Sequence, residues 1–295
     1  MKKIKKVLVT GANGLLGSAI KKIVDQINIS DSYVFFDRNL LDITNRNQTI
    51  SIIKAIKPDY VINCAAYTNV KLAESNMDEA YLINVEGADI VTYATWLAGG
   101  KLIHISTDYV FDGEKNESYT TIDKTNPINY YGETKRNGEI SSLCYPNSII
   151  IRTSWLYSDT HDCFFTKVLQ KIKNGNEMKV VNDEFGQPTN AYDLAEFIVK
   201  TINNGGFDDK YGIFHYSNYG KTSWFNFAQK IEWFYNNTVS EKTSLIKPCS
   251  RNEYDSLVKR PKNSTLDLLT TEYVFGIRMK LWEDSLSSYF IKNKQ

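Results

Sequence analysis

The chain is poor in the residues that build covalent or metal frameworks. Its 295 residues hold four cysteines, Cys64, Cys144, Cys163 and Cys249, with no close pair, and three histidines, His104, His161 and His215, that do not gather around them. Such spacing excludes a disulfide framework and the paired ligands of a zinc site, so reduced thiols and no bound metal are expected. Charge of one sign is missing too: 35 Lys and Arg stand against 34 Asp and Glu, a net charge of +1. Nothing in that balance asks for nucleic acid. Long apolar runs are absent. No window approaches the roughly 20 residues that cross a bilayer, and behind the opening lysines the apolar stretch runs only from Val7 to Val9 before Thr10 and Gly11. A secretory signal needs a longer one, so the expected address is cytoplasmic, without a membrane partner. Asn236-Asn237-Thr238 resembles a glycosylation acceptor, which carries no meaning without export.

What is present is a globular composition, 42% hydrophobic and 23% charged, in a chain long enough for one large core or two modest ones. The first half alternates short β-branched runs with longer amphipathic stretches. Strands are expected at Lys5 to Thr10, Tyr33 to Phe36, Tyr60 to Asn63, Lys101 to Ser106 and Ser148 to Thr153. Each is apolar enough to be buried on both faces, as in a parallel sheet with crossover helices. Helical spacing marks Leu15 to Ile27, a second helix capped by Thr44 or Asn45 and ending before Pro58, and a long one from Met77 to Ala98. The fold class is therefore α/β, a Rossmann-type doubly wound parallel sheet with a smaller C-terminal lobe. After Arg152 the texture changes to tryptophans and loops. The expected division is a dinucleotide-binding domain at 1–154, with about 190–216 returning to it, and a second lobe at 155–189 and 217–295. No repeat or low-complexity linker separates them, so a broad interface is expected.

Directly after the first strand comes Thr10-Gly11-Ala12-Asn13-Gly14-Leu15-Leu16-Gly17, three glycines at a spacing of three leading into a helix. In that context the first glycine permits a tight turn, the second lets amides approach a diphosphate, and the third lets helix and strand pack closely. Gly11, Asn13, Gly14, Leu15, Leu16 and Gly17 are the expected diphosphate cradle of a dinucleotide. The second strand ends in Phe35-Phe36-Asp37-Arg38. Asp37 suits a ribose hydroxyl and so NADH, whereas Arg38 suits either stacking on adenine or a 2′-phosphate and so NADPH; both cofactors stay open. Asp42, beside Ile43, either meets the adenine amino group or caps a helix. Ala65 and Ala66, followed by Tyr67, leave room for a flat ring after the third strand.

The fourth strand runs into Ser106-Thr107-Asp108-Tyr109, and Tyr131 and Lys135 follow at i and i+4 on the next helix. One helix face then carries both, so the ammonium is expected to lower the phenol pKa. Such a tyrosine can give a proton to a carbonyl oxygen as hydride reaches the carbon, with Thr107 supplying a second hydrogen bond. Alone, the pair is ordinary. With the glycine turn and Thr107 it specifies hydride chemistry. His104 lies inside an apolar strand and is read as a satisfied core histidine.

These motifs resemble the extended short-chain dehydrogenase/reductases and, within them, the dTDP-4-dehydrorhamnose reductase family. More specific matches are Ser106 to Gly113, Arg152-Thr153-Ser154-Trp155-Leu156-Tyr157, Asp183 with Gly186-Gln187-Pro188-Thr189, and Arg260-Pro261-Lys262-Asn263-Ser264. The resemblance implies reduction of the 4-keto group of dTDP-4-dehydro-L-rhamnose by NADPH or NADH, giving dTDP-L-rhamnose for cell-surface polysaccharide. It implies Tyr131 as proton donor, Lys135 on the nicotinamide ribose, and Thr107 on the keto oxygen. Trp155 would face the sugar, with Asp108 and Tyr109 beside it and Arg260 on the diphosphate. A monomer or homodimer fits. Departures are Lys71 where the family carries an acid, Glu184 where it carries Gln, and Ser18 and Ala19 where some members hold Mg²⁺ through an acid. Alternative readings are a reductase or epimerase of another 4-keto nucleotide sugar, and a non-catalytic dinucleotide-binding regulatory subunit.

Overall fold

The alternation of the first half becomes a six-stranded, wholly parallel sheet in the computed structural model, which describes residues 4–27, 31–238, 245–254 and 258–292. Lys2 and Lys3 of the opening run lie outside those residues. The strands are β1 (Lys6–Thr10), β2 (Ser32–Phe36), β3 (Tyr60–Asn63), β4 (Lys101–Thr107), β5 (Ser148–Thr153) and β6 (Gly212–His215), in the order β6-β5-β4-β3-β1-β2. Because the order reverses between β1 and β3, the connections leave the sheet in opposite directions there and open a crevice at the carboxyl ends of the strands. All five expected strands are present, with ends that differ by at most one residue.

Alternate side chains of each strand face opposite layers. Val7, Val9, Ile62 and Ile103 pack with Leu16, Ile20 and Ile23 of α1 (Leu15–Gln26) on one face. Leu8, Val61 and Leu102 pack with Ile53 of α2 (Arg46–Ile56) and Val91 of α3 (Ala88–Leu97) on the other. Each such buried side chain contributes about 1.5–3 kcal/mol. Asn45 caps α2 by accepting from Gln48 N–H, so Asn45 and not Thr44 starts that helix.

One element departs from its pattern. The helix expected from Met77 to Ala98 is interrupted, with Met77–Tyr81 and α3 flanking a π-helical turn at Leu82–Gly87. That turn carries Asn84, whose side chain leaves the helix for the site described below; such π turns recur at functional positions.

The helix α4 (Tyr130–Leu143) leads into β5. Beyond it, α5 (Phe164–Lys173), α7 (Trp224–Asn236) and α8 (Trp282–Lys292) surround a second core of Phe165, Val168, Phe227, Ile231, Trp282 and Leu286. Between them α6 (Ala191–Asn203) packs its Leu194, Ile198 and Ile202 into the core that holds α1, and β6 pairs with β5. Two-stranded pairs such as Met178–Val181 with Ile246–Cys249 complete the smaller lobe.

Candidate active site

A cleft of about 650 Å³ opens at the carboxyl ends of β1, β3 and β4 and reaches the second core. Gly14, Thr107, Tyr131, Lys135, Trp155 and Arg260 all line it. The glycine turn forms its floor. Gly11 has φ +63°, and a Cβ there would stand 2.6 Å from the Ala65 nitrogen; at Gly17 a Cβ would stand 2.4 Å from the Gly11 oxygen. Both positions exclude any side chain. No side chain caps α1, and its first turn carries no acid. Its leading amides and the positive end of its dipole are therefore left for an anion.

At the end of β2, Asp37 receives Asn13 Nδ2 at 2.8 Å on one oxygen, and the Asn39 and Leu40 amides at 3.0 and 3.1 Å on the other. Arg38 is exposed, with its guanidinium 3.7 Å from Glu79. Asp42 spends one oxygen on the Thr44 amide and hydroxyl, at 3.0 and 2.8 Å, a turn that prepares the Asn45 cap. Ile43 is buried against the apolar layer behind it. The Tyr67 backbone is held at both ends by Asn84, whose Oδ1 accepts its N–H at 2.8 Å and whose Nδ2 donates to its carbonyl at 3.1 Å. The same Nδ2 lies 3.0 Å from Thr134 Oγ1 on α4. Each bond is worth about 0.5–1.5 kcal/mol net, and more if a buried partner is left unpaired.

Tyr131 stands at the first turn of α4, whose start is fixed by Asn129 accepting from Gly132 N–H. Its ring meets Tyr109 edge-on at 5.9 Å. Lys135 is buried one turn on, and its ammonium donates to the Ile105 carbonyl at 2.7 Å. The expected lowering of the phenol pKa by Lys135 is not what this environment produces. Burial pushes the Tyr131 phenol up to about 12, with the Thr107 hydroxyl pulling the other way. Lys135 turns its charge to a carbonyl rather than to the phenol, and burial lowers it to about 8 while Glu139 opposes the fall. At neutral pH the site thus holds a protonated phenol beside a charged amine. Thr107 donates to Asp108 Oδ1 at 3.0 Å, and burial lifts the Asp108 carboxyl to about 7.

The far wall comes from the smaller lobe. Trp155 has φ +45°, a left-handed backbone that a bulky residue rarely adopts, and its indole stacks on Trp224 at 3.5 Å and 8°. A Cβ at Gly186 would stand 2.3 Å from the same indole. Gly186 thus has to stay bare for the indole to lie where it does. Arg260 lines the cleft with its Nε buried and unpartnered, while its carbonyl accepts from Arg251 at 2.8 Å. Glu184, buried beside both arginines, lies 3.9 Å from Arg251 Nε; burial raises its carboxyl and the arginines oppose the rise.

A family model described as the RmlD substrate binding domain matches residues 5–294. The chain belongs to that family. It is 36% identical to a dTDP-4-dehydrorhamnose reductase of Aggregatibacter actinomycetemcomitans over 96% of this chain and 97% of the relative. It is 35% identical to a dTDP-4-keto-6-deoxy-D-glucose reductase of Streptomyces niveus over 75% of this chain and 76% of that one. Among solved structures it is similar to a Bacillus anthracis dTDP-4-dehydrorhamnose reductase in complex with NADP, with a TM-score of 0.91 and 37% identity, covering 99% of this chain and 100% of that one.

Within the RmlD family this chain's departures now have positions. Lys71 is exposed on the short helix Val70–Ala73. Ser18 donates to the Ala12 carbonyl at 3.3 Å, and among the described residues no group of three or more His, Cys, Asp or Glu stands in a metal-holding arrangement. All four cysteines are unbridged. His104 is buried and only half satisfied, against the expectation: its Nδ1 receives Asn63 Nδ2 at 3.1 Å while its Nε2 has no hydrogen-bond partner, and burial holds it neutral. Residues to which sequence reasoning gave no role are Asn84, Trp224, and the buried pair of Arg152 with Glu139, joined at 2.8 and 2.7 Å beneath Ser106. Glu139 follows Lys135 at i+4, which is a signal the spacing carries; Asn84 and Trp224 offer none.

Proposed function

We propose that this chain reduces the 4-keto group of dTDP-4-dehydro-L-rhamnose to dTDP-L-rhamnose with NADPH or NADH. One observation carries the reading: a protonated phenol, a hydroxyl and a buried amine converge on one cleft whose floor is an uncapped helix start behind a glycine turn. The fit of a dinucleotide rests on that bare helix start and on Asp37 at the end of β2. Bound there, the reduced nicotinamide supplies the hydride.

Tyr131 gives its phenolic proton to the carbonyl oxygen as the carbon accepts hydride, so ketone becomes alcohol and the phenol becomes phenolate. Thr107, turning its hydroxyl away from Asp108, donates to the same oxygen and steadies its growing charge. Lys135, charged at neutral pH with its ammonium held on the Ile105 carbonyl, serves the nicotinamide ribose. Arg260, with its unpartnered Nε, suits a diphosphate, and the Trp155 and Trp224 block suits the apolar side of a deoxysugar. The relatives named above support the nucleotide-sugar side.

A second reading, reduction of a different dTDP-activated 4-keto sugar, is favoured by Glu184 at the arginine pair and by the likeness to the Streptomyces niveus enzyme. Loss of NADPH or NADH absorbance with a panel of 4-keto nucleotide sugars separates the two. The dTDP-4-dehydrorhamnose arm is expected to turn over fastest; a higher kcat/KM with any other sugar sinks the first reading.

A further inference from the structure

The loop from Ser158 to Cys163 leaves the smaller lobe and crosses to the glycine turn. At its tip the His161 Nε2–H donates to the Asn13 carbonyl at 3.0 Å and lies 3.4 Å from Ser18 Oγ. The loop is built to aim that ring. The Asn13 carbonyl can only accept, so Nε2 carries the proton and Nδ1 is left to accept from the Thr160 hydroxyl at 3.0 Å. Thr166 Oγ1, in the first turn of α5, donates to the His161 carbonyl at 2.8 Å. Asp159 accepts from the Tyr192 hydroxyl of α6 at 2.8 Å, and Lys22 of α1 donates to that hydroxyl at 3.3 Å.

The atom that His161 holds is well chosen. The Asn13–Gly14 peptide is pinned at its other end, where Gly14 N–H donates to the Gly11 carbonyl at 2.9 Å. Fixing both ends fixes the plane of the last peptide before the open amides of α1, so a residue of the smaller lobe sets the orientation of the anion-binding turn. Neither the glycine turn nor the aromatic block contains His161, and no step of the proposed reduction uses it.

We propose that His161 is a positioning residue that couples the two halves of the cleft: it holds the turn ready for a dinucleotide diphosphate, so dinucleotide binding steadies the lobe that receives the nucleotide sugar. This rests on the function proposed above. Coupling is reciprocal, so a nucleotide sugar also tightens the dinucleotide.

The test titrates NADPH and thymidine diphosphate, each alone and each in the presence of the other, into the wild-type protein, His161→Ala, His161→Gln and Thr160→Val. In the wild type each ligand is expected to tighten the other. His161→Ala is expected to raise the NADPH dissociation constant by about three- to tenfold, the span of one neutral hydrogen bond, and to bring the mutual tightening to one. Saturated kcat should change less than about twofold, since no reacting atom is touched. His161→Gln, which keeps an N–H donor at that reach, should restore part of the coupling, and Thr160→Val should lose part of it. A wild type without mutual tightening overturns the proposal, and so does a His161→Ala variant that keeps it, even if NADPH binds more weakly. A wild type that binds neither ligand strikes the proposed function instead.

Discussion

The two walls of the cleft are made by different means. The dinucleotide side is made of backbone: a turn where Gly11 and Gly17 admit no Cβ, an uncapped helix start, and strand ends held by short local bonds. The wall proposed for the sugar is made of side chains brought from four separate segments, with Trp155, Glu184, Trp224 and Arg260 far from one another in sequence. A backbone site fixes one kind of ligand group and tolerates change around it. A side-chain site can be retuned one residue at a time, which is how related chains come to act on different nucleotide sugars while sharing one hydride geometry.

The sharpest way to break that division is to touch the proposed proton donor, which belongs to neither wall. Tyr131→Phe is expected to lower kcat by about 10²–10⁴, the usual worth of a positioned acid, with NADPH and thymidine diphosphate affinities within about twofold of wild type. Single-turnover absorbance together with ligand titration measures both. A variant with full kcat removes Tyr131 from the chemistry. One that loses NADPH binding in step with kcat makes it part of the cofactor wall.

The same division explains what the sequence discloses. Gly11, Gly14, Gly17, Thr107, Tyr131 and Lys135 are legible because each signal is local: a glycine spacing, a strand end, an i, i+4 pair. Five strands are legible because their burial on both faces makes them apolar throughout. Asn84 is hidden, since its partners lie 17 and 50 residues away and its reach depends on a π turn that no simple periodicity marks. The charge state of Tyr131 is hidden for another reason. Helix spacing brings Lys135 to the right face, but where its ammonium points is decided by the Ile105 carbonyl across the sheet. Trp155 is legible as a motif residue and illegible as a shape, because the stack on Trp224 brings together residues 69 positions apart.

A middle-sized effect sharpens the comparison from the sugar side. Trp224→Ala removes the ring that covers one face of Trp155 and is expected to raise the KM for the sugar substrate about tenfold. The NADPH dissociation constant should stay put, because α7 makes no part of the glycine turn. Initial-rate measurements over a range of both substrates separate the terms. Equal weakening of sugar and dinucleotide would mean that the aromatic block supports the whole cleft, and the division into two walls would fail.

The smallest expected effect compares the two titrating groups. Asp108, on the sugar side, has its carboxyl lifted by burial to about 7, and Lys135, on the proton side, is lowered by burial to about 8. If the carboxylate form of Asp108 receives a sugar hydroxyl and the charged form of Lys135 holds the nicotinamide ribose, kcat/KM has a narrow maximum between those values. It falls on the acid side as Asp108 gains a proton and on the alkaline side as Lys135 loses one. Asp108→Asn should flatten the acid limb, leave the alkaline limb in place and lower the maximum by only a few-fold, about one hydrogen bond. The same substitution has a signature in folding. A carboxyl raised in the fold from its usual 3.8 to about 7 binds its proton more tightly folded than unfolded. The stability it contributes is complete below the unfolded value and is lost as pH rises through the folded one. The difference in Tm between Asp108→Asn and wild type should therefore turn in favour of the variant between pH 4 and 7 and stay level above about 8. If the Tm difference is flat across that range, Asp108 is not a strained carboxylate. The acid limb of the rate would then need another owner on the sugar wall, where Glu184 is the other acid that burial has raised.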